Sequence, residues 1–249
     1  MYNKPKLDKS NMVFGLRPVE ETLNSGKEIE KIYFSKNQTN LTEIIKEVKA
    51  RKIPFSFVPD EKLNFYTKKN HQGVVCFVSP VHYTKIENIV PQVFEEGRTP
   101  FILVLDRITD VRNLGGIART AECAGVDAIV IPNKGAAQVT PDAIRTSSGA
   151  LLHIPVCRVE NIRKTLIYLR DSGLNIIACT EKADKDIYQV DLKNPLALVL
   201  GSEEDGIAEE YLKICTEKMK IPMKGKLASL NVSVAAGVAM FEVVRQKFS

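Results

Sequence analysis

The apolar positions along the chain follow two rhythms in turn. Between residues 17 and 80 short helical and strand-like segments alternate. "RPVEETLNSG" and "LTEIIKEVKARK" space their apolar side chains three and four apart, as amphipathic helices do. "EKIYFS", "FSFVP" and "GVVCFVS" read as strands, with "DEKLNFYT" lying between the last two. This rhythm predicts a small α/β unit over residues 11–80, preceded by a polar, lysine-rich and flexible tail over residues 1–10. "PVHYTKIENIVPQVFEEGRTP" follows, with Pro80, Pro91 and Pro100 punctuating charged text, which predicts a linker over residues 81–99. The second rhythm begins abruptly at "FILVLD". Continuous apolar runs "FILVLD", "DAIVIP", "LNIIACT" and "LALVLG" are separated by helical text such as "NLGGIARTAECAG" and "ENIRKTLIYLRDSG". Residues 100–249 therefore read as a βαβα domain whose parallel sheet is covered on both faces.

In sheets of this kind ligands gather outside the carboxyl ends of the strands, so the informative residues are those that follow each apolar run. They are Asp106-Arg107 with "VRNLGGIART" after the first, Thr180-Glu181 after "LNIIAC", and "GSEEDGI" after "LALVL". A fourth stretch, "IPMKGKLASLNVSVAAGVAMFEVV", poses a question of its own. From Val234 onward it is apolar on nearly every side, which predicts a helix buried almost all round. Yet Ser229, Asn231 and Ser233 stand at its start. Capping the free N–H groups of the first turn explains one such residue but does not need three. A basic, glycine-containing lead-in (Met223–Lys226) before a buried helix N-terminus also suits a pocket for a polar ligand. In "GSEEDGI", Glu204 and Asp205 suit the start of a helix over "IAEEYLKICTEKM", and Glu203 is the acid placed to enter a pocket.

Charge changes this picture little. The net charge is +5, with 35 Lys and Arg against 30 Asp and Glu, and residues 1–100 carry +4 of it. That bias permits a polyanionic partner without demonstrating one. Five widely separated cysteines, with no CxxC and no histidine at metal spacing, point to reduced thiols in a cytoplasmic protein, most of them buried, and to no metal. No apolar run approaches membrane-spanning length. The two glycines of "NLGGIART" lack the G-x-G-x-x-G spacing of a dinucleotide site, so hydride transfer loses its main support. No Gly-x-Ser-x-Gly turn accompanies the three histidines, and no second strand end supplies the paired carboxylates of a glycosidase.

In this order and at these strand ends, "RNLGGIARTAECAG", "LVLGSEEDGI" and "IPMKGKLASLNVSVAAGVAMFE" resemble the three ordered motifs of the SpoU/TrmH family of RNA ribose 2′-O-methyltransferases. "VFGLRPVEETLNSG" and "HQGVV" are similar to the substrate-binding domain of its RlmB-type members, which methylate a guanosine ribose in 23S rRNA. The resemblance implies an α/β, SPOUT-type domain with a trefoil knot, a homodimer, an RNA partner and S-adenosylmethionine as cofactor. By motif it implies that Asn113 and Arg119 are catalytic, that Glu203 is the acid of the second motif, and that Ser229 and Asn231 are the polar pair of the third. Gly201, Ile221 and Leu230 fall where family members touch the cofactor, and Thr180 joins them as a strand-end residue. Glu204 stands where many relatives have glycine. A tRNA methyltransferase of the same family and a noncatalytic rRNA-binding protein are the alternatives.

Overall fold

The computed structural model describes residues 11–37, 40–202, 204–227 and 229–247. The expected tail over residues 1–10 lies outside them. The chain divides at His82/Tyr83 into two compact units, with Val139–Pro141 grouped with the first.

The first unit is a four-stranded sheet, ordered β1-β4-β2-β3, with three helices. The strands are β1 (Met12–Phe14), β2 (Ile29–Ser35), β3 (Phe55–Val58) and β4 (Val74–Val78), and the helices α1 (Leu16–Asn24), α2 (Thr42–Ala50) and α3 (Asp60–Tyr66). β4 runs antiparallel to β1 and β2, whereas β2 and β3 are parallel. Alternation along β2 sorts the two faces, because successive side chains point to opposite sides. Ile32 and Phe34 pack with Val19 and Leu23 of α1 and Ile44 and Val48 of α2. Tyr33 faces the other way, with Val75, Phe77 and the α3 residues Leu63 and Tyr66. β1 escaped the sequence reading because three residues are too few to show a period.

The second unit carries a six-stranded, all-parallel sheet in the order β10-β8-β9-β5-β6-β7. Its strands are β5 (Phe101–Leu105), β6 (Ala128–Pro132), β7 (Val156–Val159), β8 (Asn175–Cys179), β9 (Leu196–Leu200) and β10 (Glu217–Met219). Around them lie α4 (Ile86–Glu95), α5 (Val111–Cys123), α6 (Pro141–Thr146), α7 (Ile162–Asp171), α8 (Glu209–Leu212) and α9 (Val232–Lys247). Every residue of the central strands β5 and β9 is buried, as their unbroken apolar runs require.

Three expectations are corrected. The segment 81–99 is not a linker: α4 occupies it, and Ile86, Ile89, Val90 and Val93 sit in the second unit's core. Pro91 is tolerated inside α4 because it faces solvent, where water can satisfy the carbonyl one turn back. The helix expected over "IAEEYLKICTEKM" stops at Leu212, since the Thr216 hydroxyl bonds both the N–H and the carbonyl of Ile176 and β10 then pairs with β8. Helix α9 is buried along Val232, Ala236, Ala239, Met240 and Val243, but Val234, Val238 and Phe241 form an exposed stripe, 52, 37 and 49% accessible. All five cysteines are free: Cys76 and Cys157 are buried, Cys179 and Cys215 half-buried, and Cys123 exposed.

The glycines of "NLGG" answer to packing. A Cβ on Gly115 would lie 2.6 Å from the Cβ of Thr146, whereas one on Gly116 would meet the Ser233 Cβ at 3.4 Å. Gly115→Ala is therefore expected to destabilise the protein by about 1–3 kcal/mol, although alanine is the better helix former. Gly116→Ala is expected to be close to neutral. Denaturant unfolding measures both, and a stabilised Gly115→Ala protein would contradict this account of the contact.

Candidate active site

The site forms where β5, β8 and β9 end and α5 and α9 begin. Asp106, the first residue after β5, is 2% exposed and accepts hydrogen bonds from Arg107 Nε and from the Ala208 N–H, each at 3.0 Å. Arg107 adopts a left-handed backbone at φ 56°, unusual for a residue with a side chain. Its guanidinium reaches Asp205 at 2.9 Å and the Gly206 carbonyl at 3.1 Å. These contacts strap the end of β5 to the loop that follows β9. That loop is tight in itself: Gly206 N–H donates to the Ser202 carbonyl at 3.0 Å and Asp205 N–H to the Ser202 hydroxyl at 3.1 Å. A Cβ on Gly201 would fall 2.1 Å from the Gly206 carbonyl carbon, so only glycine fits.

Asp110 caps α5 by accepting from the N–H groups of Arg112 and Asn113 at 2.6 and 3.4 Å. The Arg112 side chain, followed by those N–H groups, holds the Asp110 carboxyl below the usual carboxylate range against the opposing effect of burial. The helix turns Asn113, the second of these cap partners, toward α9, and Asn231 Nδ2 donates to Asn113 Oδ1 at 3.1 Å across 118 residues of sequence. The other end of the Asn231 amide caps α9, with Oδ1 accepting from Ser233 N–H at 3.0 Å and from the Ser233 hydroxyl.

Beside this junction is a cavity of about 620 Å³. Thr180 and Glu181 line it from the end of β8, Leu200, Gly201 and Ser202 from β9, and Ile207 from the loop beyond. Lys182, Glu204 to Gly206, Lys220 to Met223, Ser229, Leu230, Val232 and Ala235 also line it. The structure thus brings Thr180, Gly201, Ile221, Ser229 and Leu230 around one space. Asn113 and Asn231 pair with each other at its edge rather than lining it. Arg119 is exposed on α5, on the same helical stripe as Arg112 and Gly116, and among the described residues its side chain makes no hydrogen bond or ion pair. Glu203 lies outside the described residues. The Cys179 thiol, also in the lining, is pushed up to about 11 by burial and then by Glu181, which removes it as a nucleophile.

Sequence reasoning missed the strap and the cap. Asp106 and Arg107 stood at the expected strand end, but their partners are about 100 residues away. Asp110 was legible as an acid just ahead of a helix.

The pattern of the SpoU rRNA methylase family matches residues 100–241. This chain belongs to that family. A second family, described as RNA 2′-O ribose methyltransferase substrate binding, matches residues 12–84. A Bacillus subtilis (strain 168) protein that carries the name TrmH family tRNA/rRNA methyltransferase YacO is 37% identical over 237 residues, 94% of this chain and 95% of that one. Among solved structures, the AdoMet-bound rRNA methyltransferase from Sinorhizobium meliloti has 26% identity and a TM-score of 0.62, covering 96% of this chain and 88% of that one. The SpoU methyltransferase AviRb from Streptomyces viridochromogenes, solved with AdoMet, shares the fold at 23% identity and a TM-score of 0.61, covering 95% and 90%. The second unit of this SpoU-family protein is thus the α/β methyltransferase domain with a parallel sheet that its motifs implied.

Two substitutions test the construction of the cavity. Arg107→Ala loses the strap and keeps the left-handed strain, whereas Arg107→Gly loses both. The glycine variant is expected to be the more stable by about 1 kcal/mol in denaturant unfolding. Equal stabilities would show that the φ of Arg107 carries no strain.

Proposed function

We propose that this family member transfers the methyl group of S-adenosylmethionine to the ribose 2′-hydroxyl of a guanosine in 23S rRNA. The observation that carries the reading is the junction of Asn113 with Asn231 beside the cavity, which unites the first and third motifs at one place. The cavity has the volume of sites for ligands of this size. Its lining fits the cofactor: Leu200, Ile221, Leu230 and Val232 offer apolar walls for an adenine ring. When bound, the cofactor supplies an electrophilic methyl group on sulfur.

The chain's own task is then to hold a ribose oxygen in line and to tolerate the charge that grows on it. Arg119 is the group for the second task. A guanidinium stays protonated and so cannot act as an ordinary base, but its planar fork stabilises a developing alkoxide and can clamp the adjacent phosphate. Asn113, pinned by Asn231, and Ser229 orient the target nucleotide, and Glu203 orients Arg119 or the ribose. The first unit, matched by the substrate-binding family, presents the RNA. Several features support the finer parts of this reading. The RlmB-like text of the first unit favours 23S rRNA over tRNA, although the B. subtilis relative's name embraces both. The exposed stripe Val234, Val238 and Phe241 on α9 supports a homodimer. Five free cysteines fit a cytoplasmic location. The complete set of motif residues speaks against a noncatalytic binder.

Two measurements test the proposal. Metal-stripped protein is expected to bind S-adenosylmethionine in calorimetry, and no binding at millimolar cofactor would overturn it. Arg119→Ala is expected to slow single-turnover methylation of saturating RNA by about a hundredfold or more with cofactor affinity unchanged. Arg119→Lys is expected to be strongly impaired too, because a point charge does not reproduce the fork. A folded Arg119→Ala protein working at the wild-type rate would remove Arg119 from the mechanism.

A further inference from the structure

We infer that the first unit holds single-stranded RNA on one particular surface, the aromatic and lysine face made by Lys31 and Tyr33 of β2, Phe77 of β4, and Lys62 and Phe65 of α3. The inference rests on the RNA methyltransferase reading and names where in the first unit the RNA is gripped.

The surface follows from the sheet's alternation. Lys31 and Tyr33 project to the face opposite α1 and α2, and Lys31 stands directly across from Phe77 in the antiparallel register. Helix α3 lies on that face through Leu63 and Tyr66 and leaves Lys62 and Phe65 exposed, Phe65 by 58%. The rings form a continuous plate. Tyr33 stacks on Tyr66 at 5.2 Å, Phe77 meets both edge-on at 6.0 and 5.2 Å, and Phe65 extends the plate outward at 5.9 Å from Tyr66. Two ammonium groups converge on its centre, Lys31 Nζ at 5.1 Å and Lys62 Nζ at 5.4 Å from the Tyr33 ring centroid.

Such a face is unfinished without an anion. Among the described residues neither the Lys31 nor the Lys62 ammonium forms an ion pair or hydrogen bond, although the two repel each other. Burial first and the Lys62 charge second hold the Lys31 ammonium below the usual lysine range, and Glu30 offsets this only in part. A phosphate between the two lysines removes that repulsion, and an exposed phenylalanine beside them offers a face to a base. The bases of an A-form duplex are stacked inside and cannot reach Phe65, so the ligand is a single-stranded loop or end. An acidic peptide would satisfy the lysines but would give Phe65 no stacking partner. Phe57, also exposed at 46%, packs with Phe34 and Phe55 and lies outside this plate, which makes it a control.

The test uses the full chain, a fluorescein-labelled, unstructured RNA oligonucleotide and the matching duplex, with anisotropy read across a salt series. Phe65→Ala is expected to weaken single-strand binding about tenfold. Lys31→Gln with Lys62→Gln is expected to lower the slope of log affinity against log salt by about 1.4, the contribution of two phosphate contacts on a single strand. Phe57→Ala should bind as wild type does, the duplex more weakly, and melting temperature and S-adenosylmethionine binding should be unchanged throughout. Wild-type affinity and slope in the folded Phe65→Ala and double-lysine proteins would overturn the inference. So would a duplex bound as tightly as the single strand, or a wild-type protein that holds neither RNA. The methyltransferase reading fails by a different sign, the absence of cofactor binding in the wild-type protein.

Discussion

The active face of the second unit depends on how closely α5 and α9 approach each other. Here Gly116 faces Ser233 and Gly237 faces Thr120, with the missing Cβ positions 3.4 and 3.7 Å from the opposing side chains. In this packing the Asn113 amide meets Asn231, and Ser229 and Leu230 line the cavity beside the Asn231 cap. The polar start of an otherwise apolar helix is thereby explained. Asn231 caps the helix and tethers it to α5, Ser233 completes the cap and fills the space over Gly116, and Ser229 faces the cavity.

The opposite wall is held by electrostatics rather than by close packing. A buried carboxylate is costly unless its oxygens are satisfied, and Asp106 meets that condition with the Arg107 guanidinium and the Ala208 N–H. Arg107 in turn fixes Asp205 and Gly206, so the loop after β9 keeps the narrow turn that Gly201 requires. The strain of a left-handed arginine is consistent with a position that the surrounding contacts overdetermine. Packing on one side and ion pairing on the other thus hold the two walls of the cavity.

Much of this was readable in the sequence because the strongest signals are local. Unbroken apolar runs announced β5, β6, β8 and β9, and the residues behind them marked the cavity. The edge strands β7 and β10 were not legible, since "VCRV" and "EKM" are short and half polar, and their pairing comes from the sheet beside them. Helix α4 was hidden by Pro91, although Ile86, Ile89, Val90 and Val93 follow the helical period. The motif residues were found by resemblance, but no local pattern shows that Asn113 meets Asn231 or that Asp106 holds Ala208. Those contacts join residues more than 100 positions apart and exist only in the fold.

The central claim is that this site methylates a ribose oxygen, and the chemistry of the product tests it most directly. RNA incubated with the protein and S-adenosylmethionine carrying a labelled methyl group would be hydrolysed with alkali and then analysed as nucleosides. Alkaline cleavage of RNA uses the 2′-hydroxyl as nucleophile, so a 2′-O-methyl group protects its own linkage. The account predicts label in an alkali-resistant dinucleotide that yields 2′-O-methylguanosine on enzymatic digestion. Label on a base, released in alkali-sensitive mononucleotides, would contradict it.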